Sequence, residues 1–154
     1  MARLRAVVRA IDRALLDRIE RASRDSVGHA LFTITRFDSA ALEVERVHSS
    51  NPLAFPIGGR KQKRDTEISR RILLRGETLV CEGDAEIAAI FDDHALIQSL
   101  GLHSSINVPV LSSDGSCVGV VNFLMTDDRV TAARLTAASA IAADTDLAAA
   151  LVAR

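Results

Sequence analysis

The chain has 154 residues, of which 48% are hydrophobic and 25% are charged, and its formal net charge is −1. This length and composition are typical of one globular domain with a buried core. The near-neutral charge gives no general attraction to nucleic acid or to anionic membranes, and five Phe with no Trp or Tyr are too few to stack bases.

The N-terminal part of the sequence predicts a helix followed by a β-hairpin. Apolar residues recur at helical spacing through residues 2–24, so we expect an amphipathic helix within residues 1–25. The stretches "HALFTITRF" and "ALEVERVH" alternate with period two on either side of a short turn, which predicts two paired strands. The alternation broadly places Phe37 on the same face as Phe32 and Ile34.

The middle of the chain predicts a long loop and several short elements. "SSNPLAFPIGGRKQKRD" has two Pro and a Gly pair and is interpreted as a loop. Asp65 or Thr66 would then cap a helix that reaches Leu74. "ETLVCEG" predicts a short strand, and residues 84–100 predict two short helices with a break near Asp92.

The C-terminal part predicts a second hairpin and a closing helix. The Asp-Gly pair in "SSDGS" indicates the hairpin turn, and an Ala-rich helix is expected over residues 130–152. Residues 1–154 are therefore interpreted as one α+β domain, with a mostly antiparallel central sheet in a core of residues 28–128 and helices packed on it. We expect the long terminal helices to pair with each other and with those of a second subunit, giving a homodimer.

The element order and the stretch "SLGLHSSINVPVLSSDGSCVGVVNF" resemble the GAF domain family. The similarity lies in a step of small residues, a strand ending near Pro-Val, a turn with Gly, and a strand reading Gly-Val-hydrophobic-Asn. It covers roughly residues 10–150. The resemblance implies a sensory, small-molecule-binding or dimerisation module, whose pocket lies between the sheet and a loop-and-helix layer on one face.

A metal site is not expected from the spacing of Asp92, Asp93, His94 and His103. The two His are nine residues apart and lack the i,i+4 or finger-like spacing of metal ligands. Asp93 is interpreted instead as the N-cap of a helix that begins at His94.

The cysteines Cys81 and Cys117 are interpreted as small buried hydrophobes. They form no CxxC pair and adjoin no basic residue, and we expect a reduced, cytoplasmic setting. Some GAF relatives reduce free methionine sulfoxide with cysteines, and this is the enzymatic alternative. A membrane span is not expected, because no run approaches about 20 apolar residues.

The sequence lacks the signatures of two other GAF subtypes. The segment 84–105 contains no Cys, so a covalently bound bilin is not expected, and the Asn-Lys-Phe-Asp-Glu signature of cyclic-nucleotide binders is missing. The identity of any cofactor stays unknown from the sequence.

The loop 49–65 and two strand amides supply the ligand-binding candidates. The loop either connects strands or forms a lid on which Arg60 or Lys61 holds an anionic ligand. Asn107 and Asn122 lie among apolar strand residues, so each amide must bond to backbone or to a ligand. The candidates for the pocket wall are Phe32, Asn51, Phe55, Arg60, Thr66, Phe91, His94, His103, Ser105, Asn107 and Asn122.

The sequence thus predicts a non-catalytic GAF-like sensor that binds a small molecule as a dimer and signals to a separate partner. Two alternatives stay open: a small-molecule enzyme on the same fold, such as a methionine sulfoxide reductase, and a dimerisation module with no ligand. Neither nucleic acid nor membrane is expected as a partner.

Overall fold

A computed structural model describes residues 11–62 and 66–152, which fold as an antiparallel sheet covered on both faces. The strand order in the described part is β3-β2-β1-β6-β5-β4, and the predicted α+β architecture is confirmed. The strands are β1 Leu31–Asp38, β2 Glu43–Ser49, β3 Arg60–Gln62, β4 Leu79–Glu82, β5 Ser104–Leu111 and β6 Cys117–Met125. The helices are α1 Arg13–Ser26, α2 Glu67–Ser69 with a π-helical continuation Arg70–Leu74, α3 Asp84–Ile90, α4 His94–Ser99, α5 Ala132–Ala142 and α6 Thr145–Val152.

The two faces of the sheet pack against different layers, because successive strand side chains point to opposite sides. The face with Phe32 and Phe123 packs against α1, α5 and α6, and we name it the terminal-helix face. The face with Leu31 and Leu124 packs against the loop after β2 and the helices α2–α4, and we name it the short-helix face. Strands β5 and β6 are buried along almost their whole length, which explains their apolar composition.

Helix α1 is fixed by a cap at its start and by burial of its apolar stripe. The Asp12 carboxylate accepts the backbone N–H of Ala14 at 3.0 Å, and this cap begins α1 at Arg13. Leu16 and Ile19 are 1% and 2% exposed against the sheet. The rest of the predicted N-terminal helix, residues 1–10, lies outside the described residues.

The predicted single helix over residues 130–152 is wrong, since α5 and α6 are separated by a break with a 51° bend. The Asp144 carboxylate accepts the backbone N–H of Leu147 at 3.0 Å and so starts a new helix. Arg18 of α1 pairs with Asp144 at 3.3 Å, which ties the break to the first helix. The bend brings Leu147 and Leu151 onto the sheet, where they are 0% and 3% exposed.

The close approach of α6 requires Gly119 on β6. A Cβ atom at this position would lie 2.4 Å from the backbone oxygen of Thr35 and 2.7 Å from Leu151 Cδ1. Any larger residue would therefore push the end of α6 away from the sheet.

Taken singly, no helix among the described residues is long and apolar enough to cross a membrane. Helices α5 and α6 pass the length and composition test only as a bent pair.

Two local predictions are wrong, and a third is confirmed in its position only. Arg60–Gln62, predicted as loop, forms β3 and pairs with β2. Phe37 packs against Leu73 and Val120 on the short-helix face, because the alternation of β1 continues without interruption through Phe37. Asp93 stands at the N-cap of α4, but its side chain makes no capping hydrogen bond.

The predicted cap at Thr66 is present and follows from two reciprocal hydrogen bonds. Thr66 Oγ1 accepts the backbone N–H of Ser69 at 3.1 Å, and Ser69 Oγ accepts the backbone N–H of Thr66 at 2.9 Å. This capping box starts α2, although the helix becomes π-helical after three residues.

Two histidines join α1 to the first hairpin. His48 is 4% exposed and its Nε2 lies 2.9 Å from Glu20 Oε1, while His29 Nδ1 lies 2.6 Å from Ser23 Oγ. The His29 ring also stacks on Phe32 at a centroid distance of 5.1 Å. Burial lowers the pKa of His29 to about 4, although the charge of Glu20 opposes this effect. His29 is therefore neutral at pH 7.

We predict that His29 makes the fold less stable in acid. Its pKa is about 4 in the folded chain against 6.5 when unfolded, so between these values the unfolded chain binds the proton and the folded chain does not. The free energy of unfolding should therefore fall as the pH drops from 6.5 to 4. Urea unfolding at pH 7 and at about pH 4.5 measures this loss in the free energy of unfolding for the native chain and for His29→Asn. The loss should be roughly 1–2 kcal/mol larger in the native chain, a range that allows for the partial exposure of the His29 ring. Equal losses in the two proteins would contradict this.

Candidate functional site

A band of polar side chains crosses the short-helix face inside the molecule. Thr33, Asn122 and Asn107 occupy directly opposed positions on β1, β6 and β5. Asn122 Nδ2 donates to Thr33 Oγ1 at 3.1 Å, and Asn107 Nδ2 donates to Ser105 Oγ at 3.1 Å and to the backbone oxygen of Leu79 at 3.2 Å. We call Thr33, Asn122, Asn107 and Ser105 the polar band. It places four hydrogen-bonding groups side by side in an otherwise apolar interior.

The carbonyl oxygen of Asn107 is the unsatisfied group of this band. Asn107 is 2% exposed, and its Oδ1 has no hydrogen-bond partner among the described residues. A buried acceptor without a donor costs about 1–3 kcal/mol, and such groups are rare in folded proteins. The band therefore presents a free acceptor to any molecule that enters the space above it.

An apolar cover closes the polar band from the other side. Phe55 of the loop after β2 is 4% exposed, and Ile87, Ile97 and Leu102 of the short-helix layer are 0%, 1% and 3% exposed. They pack together with Leu79, Cys81 and Leu124 of the sheet, and Phe91 packs against this cluster. The cover is thus packed against Leu79 and Cys81, the strand residues opposite Asn107 and Ser105.

A positive charge lies at the rim of the cover. The Arg46 guanidinium stacks over the Phe55 ring at 5.4 Å and donates to the backbone oxygen of Pro56 at 3.3 Å. Burial lowers the pKa of Arg46, and the nearby charge of Asp93 partly opposes this. Arg46 Nε and His94 Nδ1 are buried and have no hydrogen-bond partner within the described ranges. The rim therefore holds two nitrogen atoms available to an oxygen-bearing ligand.

Six of the predicted site residues lie in this region, and the other five lie elsewhere. Phe55, Phe91 and His94 belong to the cover or its rim, and Ser105, Asn107 and Asn122 to the band. Phe32 is on the opposite face, 5.5 Å from Phe123, so it does not line the same space as the others. Neighbouring side chains of a strand point to opposite faces of the sheet, so Thr33, and not Phe32, belongs to the polar band.

The remaining four predicted residues have local roles. Asn51 Oδ1 accepts the backbone N–H of Ala54 at 3.3 Å within its own loop. Thr66 caps α2. Arg60 is exposed on β3 and pairs with Glu45 at 3.7 Å. His103 Nδ1 lies 2.7 Å from Asp84 Oδ1 in a separate cleft of about 460 Å³, beside Asp127 and Asp128.

Sequence reasoning missed Thr33 and Arg46. Thr33 carries a detectable signal, since it is a polar residue between Phe32 and Ile34 in a predicted strand. Arg46 also carries a signal, because regular alternation along β2 places it on the same face as Val44, whereas the bulge between Ile34 and Thr35 falls after it and changes the face of His48.

Metal-ligand chemistry finds no support in the described residues. No group of three or more His, Cys, Asp or Glu side chains there is arranged to hold a metal ion.

Both thiols are buried and protonated at neutral pH. Cys81 and Cys117 are 1% and 8% exposed. Burial raises the pKa of Cys81, although a hydrogen bond with Ser105 acts against it, and burial likewise raises the pKa of Cys117 against a bond to Gly119. Thiolate is the reactive form of cysteine, so these surroundings oppose nucleophilic chemistry.

We predict that neither thiol reacts readily in the folded protein. With an excess of a disulfide reagent such as DTNB at pH 7.5, the native chain should react at least about 100-fold more slowly than the urea-unfolded chain, which should release two equivalents. The variants Cys81→Ser and Cys117→Ser identify any residue that does react. Rapid reaction of one thiol in the folded state would contradict this and would favour thiol chemistry at that residue.

Comparisons with known proteins agree with this architecture. The family model described as "GAF domain" matches residues 2–148. The chain is similar to the GAF domain of a two-component sensor histidine kinase from Bacillus halodurans, with a TM-score of 0.65, 16% identity, and 88% of this chain and 92% of that one covered. It is also similar to a GAF domain/HD domain protein from Geobacter sulfurreducens, with a TM-score of 0.67, 14% identity, and 91% and 89% covered.

A red/green cyanobacteriochrome in its red-light-absorbing state gives a TM-score of 0.70 at 15% identity, with 89% of this chain and 92% of that one covered. At these identities the solved structures share the fold alone. Among curated proteins, none matches the chain. The match over residues 2–148, the antiparallel sheet and its two helical layers together show that the chain belongs to the GAF domain family.

Proposed function

We propose that this GAF domain is a non-catalytic sensor that binds a small molecule between the polar band and its apolar cover. The observation that carries the proposal is the free carbonyl oxygen of Asn107, which is buried in a band whose other groups have partners. A ligand N–H or O–H bonded to Asn107 Oδ1 would remove the cost of leaving this acceptor unsatisfied. The apolar cover would supply the remaining contact area.

The rim defines a second feature of the ligand. Arg46 is a partly buried cation with an unpartnered Nε, and His94 Nδ1 is unpartnered as well, within the described residues. A carboxylate or phosphate oxygen is the natural partner for an arginine fork. We therefore propose a ligand with an apolar body, a hydrogen-bond donor at its inner end and an anionic group at its outer end. Arg46 takes the role that sequence reasoning gave to Arg60 and Lys61.

The absence of a free thiolate supports the non-catalytic reading over sulfoxide reduction. Thiol chemistry at Cys81 or Cys117 would need a depressed pKa and access to substrate, and burial acts against both. The stronger competitor is a dimerisation module with no ligand. It is favoured by the side chains of Phe55, Ile87 and Ile97, which fill the space above the band.

We predict that Asn107→Leu abolishes ligand binding without unfolding the protein. Leu has a similar volume and removes the acceptor, so a ligand that raises the melting temperature of the native chain should have no effect on this variant. Ser104→Ala is the matched control, because Ser104 is also buried on β5 with an unpartnered hydroxyl but faces the terminal helices. It should keep the full ligand-induced shift.

Two methods identify a ligand for this comparison. Native mass spectrometry of the purified protein detects a co-purified molecule, and thermal-shift screening of a metabolite panel detects one that raises the melting temperature. A co-purified or shifting molecule whose binding survives Asn107→Leu would place the site elsewhere. If no co-purified molecule and no shift are found across the panel, the dimerisation module is favoured instead.

We also propose that two chains pair through the outer surface of α1 and α5. These helices contact each other on the terminal-helix face, and α5 exposes the small residues Ala133, Thr136 and Ala140. Small side chains allow the helices of two subunits to approach closely. Signals from the bound ligand would pass through this helical layer to a separate partner in the cytoplasm.

We predict that Ala140→Arg converts the dimer to a monomer, because a long charged side chain prevents close helix packing. Sedimentation velocity at micromolar concentration should give half the native mass. Ala89→Arg, an exposed alanine of α3 on the other side of the sheet, should stay dimeric. A monomeric native protein would remove the proposal.

A further inference from the structure

A second cleft lies on the other side of the sheet, away from the polar band. It has a volume of about 400 Å³ and is bounded by the strands β1–β3 and by the end of α6. Arg36 and Glu45 project into it from the strands, and Leu151 and Val152 form its helical wall. Neither Asn107 nor Arg46 lines it, so its chemistry is independent of the proposed function.

One row of the cleft carries an excess of positive charge. Arg36, Glu45 and Arg60 are directly opposed on β1, β2 and β3, so their side chains share one face. Arg60 Nε lies 3.7 Å from Glu45 Oε2. Arg36 has no ion pair with any described residue, and its Nε is buried without a hydrogen-bond partner. The single carboxylate of this row therefore pairs with only one of its two guanidinium groups.

The next row carries an unpartnered negative charge. Glu43 lies opposite Asp38, two residues from Glu45 along β2. The Asp38 carboxylate accepts the backbone N–H groups of Ala40 and Ala41 at 3.0 and 3.2 Å, so it serves its own turn. Glu43 forms no hydrogen bond or ion pair with residues in the described ranges. Two residues along a strand span about 7 Å, which is the approximate spacing of the positive and negative rows.

The third wall of the cleft is apolar. Gly119 lies opposite Arg36 on β6, and Leu151 occupies the space that a side chain at Gly119 would fill. Val118 and Val152 extend this wall, and Val152 is 49% exposed. Within the described residues, the cleft thus combines a cation and an anion that have no partner with an apolar surface.

We propose that this cleft binds a free α-amino acid with an apolar side chain. Its carboxylate pairs with Arg36, its ammonium group pairs with Glu43, and its side chain lies against Leu151 and Val152. The ammonium nitrogen and the carboxylate carbon of an amino acid are about 2.5 Å apart. With a charge-assisted hydrogen bond of about 2.8 Å at each end, the ligand bridges about 8 Å, which suits the spacing of the two rows. A simple anion would leave Glu43 unpaired and would be repelled by it.

Isothermal titration with L-leucine tests this assignment, using protein dialysed into amino-acid-free buffer. We expect saturable binding by the native chain. Leucinamide lacks the carboxylate and 4-methylpentanoate lacks the ammonium group, so each should bind at least about 10-fold more weakly, a loss of about 1.4 kcal/mol or more. If 4-methylpentanoate binds as tightly as leucine, the ammonium group is not recognised and the zwitterionic ligand is wrong. If leucine does not bind, the cleft is not an amino-acid site.

Variants locate the binding. Arg36→Gln and Glu43→Gln should each weaken leucine binding at least about 10-fold, while circular dichroism and melting temperature show that they are folded. Arg134→Gln is the matched control, because Arg134 is a partly buried arginine that pairs with Asp127 at 2.8 Å outside the cleft. It should bind leucine like the native chain.

Asn107→Leu separates this proposal from the function proposed for the polar band. It should bind leucine with native affinity, because Asn107 lies on the opposite face of the sheet. Loss of leucine binding in Asn107→Leu, or unchanged binding in Arg36→Gln, would overturn the cleft assignment.

Discussion

The position of β6 between β1 and β5 is the constraint on which the rest of the structure depends. This strand pairs with both neighbours over most of its length, so each of its side chains must face one of two buried layers. Val121 and Phe123 are fully buried towards the terminal helices, while Leu124 is buried towards the short helices. The same pairing allows α6 to approach the sheet only because Gly119 has no side chain. The polar band and the cleft beside α6 both follow from this one strand.

Polar groups in such a two-sided core are costly unless each forms a hydrogen bond within the protein, because water does not reach them. The Asn122 amide donates a hydrogen bond to Thr33, and the Asn107 amide nitrogen donates to Ser105 and to the Leu79 backbone oxygen. The Asn107 oxygen finds none among the described residues. An unpaired buried oxygen costs stability while no ligand is bound, and the proposed binding role of Asn107 rests on this cost. Under the proposed function, binding at Asn107 requires the short-helix layer to open, because side chains are packed there.

The sequence predicted much of the fold and about half of the site. Strong local signals were sufficient for the two hairpins, the Thr66 cap and the strand amides Asn107 and Asn122, because each depends on residues close together in the chain. Other features depended on contacts with distant segments. The break at Asp144 is stabilised by Arg18 of α1, and His48 faces Glu20 of α1 because of a bulge in the pairing of β2 with β1. Phe32, a predicted residue of the pocket wall, lies on the face opposite the polar band. Period two separates the two faces of a strand but does not say which one holds a ligand.

By itself, the sequence determined that this chain forms an antiparallel sheet with helices, and it carried enough of the GAF pattern for the family to be identified. Hydrophobic periodicity and turn residues depend only on nearby positions in the chain, so they can be recognised without the tertiary structure. Only the tertiary structure decided which polar groups are left without partners. Whether Asn107, Arg36 or Glu43 is satisfied depends on every neighbour brought within about 3 Å by the whole fold, and no spacing along the chain records that distance.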